Sequence, residues 1–137
     1  MLFVLTALAL GAALLTPACT FTVNREKPPV FPGPIDSLQA RLNQLVVCEH
    51  FNLDGKEMTT NGKKKSQLEV DVINGKNIPT GDSMIALAKV IGLEVKKALK
   101  DTGEYEHYNV RFVAVKVDGS MTTRTWVSKE FTSAELQ

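Results

Sequence analysis

Few residues of this chain are of the types that carry catalytic chemistry. It has two histidines, His50 and His107, and two cysteines, Cys19 and Cys48. The sequence contains no glycine-rich phosphate loop, no His-x-x-x-His or Cys-x-x-Cys pair, and no serine in a strand-to-helix elbow. Because no nucleophile is paired with a base, we predict a protein that is not an enzyme and uses no cofactor.

The one place where a cysteine has a histidine nearby is the run Cys48-Glu49-His50. Glu49 and His50 should point to opposite sides once a strand begins, so the sequence does not predict a metal site there. Cys48 lies beside an apolar helical seam. That position favours a small buried hydrophobe over a reactive thiol.

The candidate contact residues are a tryptophan and two arginines, the residue types enriched at the centres of protein interfaces. Trp126, the only tryptophan, lies two residues after Arg124 in a predicted strand, and a hairpin register places it opposite Arg111. Arginine stacks on indole. We predict that Trp126, Arg111 and Arg124 bind a partner; the alternative is that the first helix or the N-terminal segment covers Trp126, which would then be a core residue.

The first eighteen residues have the composition of an export signal. They contain no charge, and residues 2–15 are apolar apart from Thr6 and Gly11, a run that is short for a membrane-spanning helix. The small residue Ala18 precedes Cys19, and Thr16 stands three positions before it. This pattern predicts a signal peptide of residues 1–18, cleaved so that the mature chain begins with Cys19.

The run Leu14-Leu15-Thr16-Pro17-Ala18-Cys19 resembles the end of the leader of a bacterial lipoprotein precursor. The resemblance covers the leader only. It implies that Cys19 is lipidated and holds the protein on a membrane of the bacterial cell envelope, with the outer membrane expected. The alternatives are a periplasmic or secreted protein in which Cys19 pairs with Cys48, and an uncleaved membrane anchor.

Residues 19–34 are predicted to be a proline-rich tether, since four of the six prolines lie in residues 28–34. A spacer of that composition is semi-rigid and would reach about 50 Å at most. Residues 35–137 are then one small domain. The full sequence carries sixteen basic and fifteen acidic residues, so overall charge does not indicate a nucleic-acid partner.

Two helices are predicted from apolar residues at steps of three and four. The first starts at Ile35 and ends near Cys48, and the second runs from about Asp82 to Lys100. Two hairpins are predicted at Asn61-Gly62 and Asp118-Gly119, dipeptides that suit tight turns.

The predicted hairpin registers separate apolar from polar side chains. In the first hairpin Leu53 faces Val70, and Asp54 faces Glu69 beside Asp71. In the second, with Asp118-Gly119 as the turn, Arg111 faces Trp126 and Val113 faces Arg124.

The element order αββαββ predicts an α+β domain with an antiparallel sheet of about four strands and two helices on its apolar face. Because the sequence contains no recognisable catalytic group, we expect a non-catalytic envelope protein that binds another envelope protein. The alternative is a soluble carrier or sensor of a small ligand, held between helix and sheet, with Phe51, Phe112 and Met121 lining the space.

Overall fold

The computed structural model describes residues 21–137. Cys19, the predicted leader and its cleavage site lie outside the described residues. The elements are β1 (Thr22–Glu26), α1 (Ile35–Leu45), β2 (His50–Thr60), β3 (Lys63–Ile73), α2 (Gly81–Ala98), β4 (His107–Asp118) and β5 (Met121–Thr132). A short 3₁₀ helix, Ser133–Glu135, follows β5.

The predicted α+β class is confirmed, but the sheet differs from the prediction in two respects. It has five strands in the order β1-β2-β3-β4-β5, so the element order is βαββαββ. The pairing of β3 with β4 is parallel, and the other pairings are antiparallel. A parallel pair needs a long connection that returns the chain to the starting end of the sheet, and α2 makes that connection.

The first hairpin has the predicted register. Leu53 pairs with Val70, and Asp54 pairs with Glu69. Asn61 and Gly62 both have positive φ, at 51° and 76°, as the two central residues of a type I′ turn require. The turn residues, together with the separation of apolar and polar faces, therefore predicted this pairing correctly.

The second hairpin is shifted by two residues from the predicted register. Asp118 pairs with Met121, so the turn residues are Gly119 and Ser120 instead of Asp118 and Gly119. Gly119 has φ of 60° at the first turn position, where a type II′ turn favours glycine.

As a result of that shift, Arg111 pairs with Ser128 and Val113 pairs with Trp126. The predicted pairs of Arg111 with Trp126 and of Val113 with Arg124 are therefore wrong. A shift by two residues leaves every side chain on its predicted face, because strand side chains alternate with a period of two.

Both helices pack on the same face of the sheet around one apolar core. Leu38 and Leu42 of α1 and Ile91 and Val95 of α2 are buried there. The sheet contributes buried side chains chiefly from β3 and β4, namely Leu68, Val70, Val72, Tyr108, Val110 and Phe112. One face of the sheet is thereby covered, and the other is left without a helix.

The residues after β1, in the predicted tether, make specific contacts with the domain. Lys27 N donates to the Gly55 carbonyl at 2.9 Å, and Lys100 N donates to the Val30 carbonyl at 2.9 Å. The Tyr105 hydroxyl donates to the Lys27 carbonyl. A Cβ on Gly55 would overlap both the Lys27 carbonyl oxygen and the Tyr105 hydroxyl. This segment is therefore part of the folded unit, and its close approach requires glycine at position 55.

Two buried tyrosines close to this segment differ in how their hydroxyls are satisfied. Tyr105 and Tyr108 are both fully buried, with their rings edge to face at 6.3 Å. Burial raises the pKa of each phenol to about 12. Within residues 21–137 the Tyr108 hydroxyl has no hydrogen-bond partner, whereas Tyr105 holds Lys27.

Phenylalanine substitutions should therefore affect these two positions in different directions. Tyr105→Phe removes the donor to the Lys27 carbonyl and should lower the free energy of unfolding by about 1–2 kcal/mol. Tyr108→Phe removes an unpartnered buried hydroxyl and should leave that free energy unchanged or raise it by up to about 1 kcal/mol. Urea denaturation followed by circular dichroism measures both. Equal losses in the two variants would contradict the assigned hydrogen bond.

Candidate functional site

The candidate site is the face of the sheet that the helices leave uncovered, here named the open face. Strand alternation places on it one residue in two from each strand. Its residues on β2 to β5 include Asn52, Asp54, Glu69, Asp71, Arg111, Val113, Arg124, Trp126 and Ser128.

Arg111 is the centre of a charged cluster on the open face. Its Nε and Nη2 donate to the two oxygens of Asp71, each at 2.7 Å, which is a bidentate pair. Its Nη2 also lies 2.8 Å from Glu69 Oε1, and Lys56 Nζ lies 3.9 Å from Glu69 Oε2. The hydrogen bond to Asp71 raises the pKa of the guanidinium, so Arg111 is permanently charged and fixed in orientation.

Trp126 lies over this fixed guanidinium. Arg111 Cζ is 5.6 Å from the centroid of the Trp126 ring, within the range of a cation–π contact. Trp126 is 58% exposed, so no residue from 21 to 137 covers it as a core residue. Level with it on the adjoining strands, Val113 and Ile73 are only 5% and 4% exposed. The result is a large exposed aromatic surface with an ordered base.

Arg124 shares the open face but not the charged cluster. It lies two residues before Trp126 on β5, pairs across the strands with Val115, and is exposed. It forms no ion pair with another residue of the described part of the chain. The structure thus brings Arg111 and Trp126 into contact and places Arg124 beside them with a free charge.

The acidic partners of Arg111 were not predicted as part of this site. The sequence places Glu69 opposite Asp54 and beside Asp71 on the polar face of the first hairpin, and it does not predict a contact of either with Arg111. The parallel pairing of β3 with β4 instead sets Asp71 directly beside Arg111. The only signal in the sequence that could have predicted this contact is that the polar faces of the two hairpins carry opposite charges.

Of the three residues proposed to line a small-ligand space, Phe51 and Phe112 both flank Val72 on the helix-covered face of the sheet, and Met121 lies apart from them. Phe112 is packed in the core at 6% exposure, whereas Met121 is 70% exposed beside the β4–β5 turn. A groove of about 480 Å³ does exist beside the β4–β5 hairpin, and it includes Trp126. It is lined by Asn74, Gly75, Ile78, Phe112, Val113, Ala114, Thr125, Trp126 and Val127.

The remaining residues of chemical interest have structural partners or weak reactivity. Burial raises the pKa of the Cys48 thiol, which keeps it protonated and poorly nucleophilic. His107 Nδ1 lies 3.0 Å from Glu130 Oε1, and Lys65 Nζ lies 2.9 Å from the same oxygen. Among residues 21–137 no three histidine, cysteine, aspartate or glutamate side chains converge as a metal site.

No protein-family model matches this chain, and comparisons with curated proteins and with solved structures also found no match. Neither of the two helices in the described residues is long and apolar enough to cross a membrane. The chain's own geometry is therefore the basis for proposing a function.

Two arginine-to-alanine substitutions should separate the cluster from the free charge. Arg111→Ala leaves the buried Asp71 without its cation and Glu69 with Lys56 alone, and it should lower the free energy of unfolding by about 2–4 kcal/mol. Arg124→Ala, the matched control, should change it by less than about 0.5 kcal/mol because this side chain has no comparable partner. Thermal and urea unfolding measure both. A similar, small effect at the two positions would contradict the cluster.

Proposed function

We propose that this chain is a non-catalytic, lipid-anchored protein of the bacterial cell envelope and that it binds another envelope protein through the open face around Trp126. The observation that supports it best is an indole, 58% exposed, resting on a guanidinium that two carboxylates hold in place. A binding surface needs an exposed apolar side chain that is held in place, and Trp126 on Arg111 has both properties. A sheet face that contacts only solvent needs neither.

The energetics of binding favour this arrangement. A partner that docks on a mobile side chain must first order it, at a cost of about 0.5–1.5 kcal/mol for each rotamer-rich side chain. Asp71 and Glu69 already order Arg111, so the free-energy cost of ordering this side chain arises during folding and not during binding. Trp126 then offers a large apolar area, and the free guanidinium of Arg124 favours an acidic group on the partner.

The position of β1 supports lipidation of Cys19 over a disulfide to Cys48. Thr22 pairs with Thr60, at the far end of β2 from Cys48. The stretch of β2 from Thr60 to His50 spans about 33 Å. Cys19 stands three residues before Thr22 and can reach about 11 Å from it at most.

A disulfide requires Cα atoms about 4–7 Å apart. The distance between the two ends of β2 therefore argues against a disulfide within one folded chain. It supports the proposal that Cys19 carries the lipid that its leader implies.

The intact mass of the mature protein purified from a bacterial host tests the anchor. We expect a chain that begins at Cys19 and carries the added mass of a diacylglyceryl group and a fatty acyl chain. Cys19→Ala should abolish both the processing and the added mass. Cys48→Ala, the control, should retain both. A mature chain with an unmodified Cys19, or with a disulfide to Cys48, would disprove lipidation.

Photo-crosslinking in intact cell envelopes tests the binding surface. A photoreactive phenylalanine at position 124 should crosslink to a specific envelope protein, which can then be purified for affinity measurements. Trp126→Ala should weaken its binding at least about thirtyfold, as expected for a hot-spot residue at the centre of an interface.

The matched control is Val90→Ala, which removes a side chain that is 42% exposed on α2, in the helical layer behind the sheet. It should leave the affinity unchanged. Circular dichroism and thermal unfolding must show that both variants are folded. Undiminished binding by a folded Trp126→Ala variant would refute the proposed surface.

A further inference from the structure

One end of the sheet extends beyond the rest of the domain. The pairing of β3 with β4 begins at Gln67, so the first four residues of β3 pair with β2 alone. Here β1, β2 and β3 form three outer rungs, namely Thr22–Thr60–Lys63, Val23–Thr59–Lys64 and Asn24–Met58–Lys65. We name these rungs, with the Asn61-Gly62 turn and Phe21, the basic projection.

The basic projection carries three lysines and no carboxylate. Lys63 is exposed and pairs with no acidic group in the described part of the chain. The Lys64 side chain is 73% exposed, and its amino group lies 3.8 Å from Glu57 on the adjoining rung. Lys65 is bound to Glu130 at 2.9 Å. Two cationic amino groups thus face solvent at the tip.

Exposed apolar side chains lie beside these lysines. Phe21 is 74% exposed, and Val23 is 46% exposed. The Asn61 N–H donates to the Phe21 carbonyl at 3.4 Å, and the hydroxyls of Thr22 and Thr60 are 3.1 Å apart, so this stretch is held at the turn. Exposed aromatic and aliphatic groups interleaved with lysine are typical of segments that lie in the headgroup region of a bilayer.

We propose that the basic projection rests on a membrane surface of anionic phospholipid, with Lys63 and Lys64 on the phosphates and Phe21 in the interface. This inference rests on the proposed lipid anchor, because Cys19 stands only two residues before Phe21. Two features support anionic phospholipid as the binding partner: its charge complements that of the lysines, and the undescribed N-terminal residues join the sheet at the basic projection. A lipid on Cys19 would therefore bring this end of the sheet, and not the opposite end, to the bilayer.

This contact would also set the direction of the open face. Trp126 pairs with Val113, level with Ile73, which is ten residues along β3 from Lys63. At about 3.3 Å per residue, the indole lies roughly 33 Å from the turn of the basic projection. The partner-binding residues are therefore held away from the membrane.

Fluorescence quenching by brominated phospholipids tests the contact. The mature full chain, with Phe21→Trp introduced into a Trp126→Phe background, is reconstituted in vesicles of phosphatidylethanolamine and brominated phosphatidylglycerol. We expect strong quenching of this reporter. The unaltered chain, whose only tryptophan is Trp126, should show little quenching, since that residue lies far from the proposed contact.

Charge reversal then tests the role of the lysines. Lys63→Glu with Lys64→Glu should shift the contact equilibrium away from the membrane by at least about tenfold, seen as loss of most of the quenching. The matched control, Lys76→Glu with Lys116→Glu, makes the same change of net charge at exposed positions toward the other end of the sheet and should retain it. Vesicles of phosphatidylcholine, or high salt, should also reduce the quenching.

The outcomes separate this inference from the proposed function. If intact mass shows a lipidated Cys19 but the position-21 reporter is not quenched, or if both double variants lose quenching equally, the membrane contact is refuted and the anchor stands. If intact mass shows no lipid, the anchor fails; binding of the unlipidated chain to anionic vesicles, lost only in the Lys63 and Lys64 variant, would still support the contact. Absence of that binding would overturn it.

Discussion

The parallel pairing of β3 with β4 is the constraint on which the rest of this structure depends. Each of these strands belongs to a hairpin, and two hairpins joined through antiparallel inner strands would have their turns at the same end of the sheet. Parallel joining sends the turns to opposite ends. It also requires a long return connection, which α2 provides while burying the apolar face of the sheet. The two ends of the sheet are thereby free to differ in chemistry.

The same pairing explains the charged cluster on the open face. A central strand has neighbours on both sides, so its side chains are shielded even where no helix covers them; Asp71 is 6% exposed although it points to the open face. A carboxylate in that position needs a partner, because desolvation penalises an unpaired charge. Register places Arg111 beside it, and the ordered guanidinium becomes the base for Trp126. A requirement of folding thus produces a preorganised surface.

The sequence predicted those features that depend on local geometry. Asn61 and Gly62 determine the β2–β3 register, because few other residues tolerate positive φ at both turn positions. The β4–β5 register was missed by two residues because glycine at position 119 could occupy either central position of a turn. That error preserved the faces, so Arg111, Arg124 and Trp126 were still grouped correctly on one side of the sheet.

Long-range features were not predictable in the same way. The five residues of β1 are exposed along its whole length, so no alternation of apolar and polar side chains marks it as a strand. Its pairing with β2 nevertheless changes how an anchor at Cys19 would act, because β1 starts only three residues after Cys19. The proline-containing segment that follows β1 is also hydrogen-bonded to the domain, through the backbone of Lys27 and Val30. An anchored chain would then have a short, stiff connection to the bilayer and not a long spacer. The sheet itself would then set the orientation of the domain on the membrane, with Trp126 of the open face about 33 Å from the Asn61-Gly62 turn.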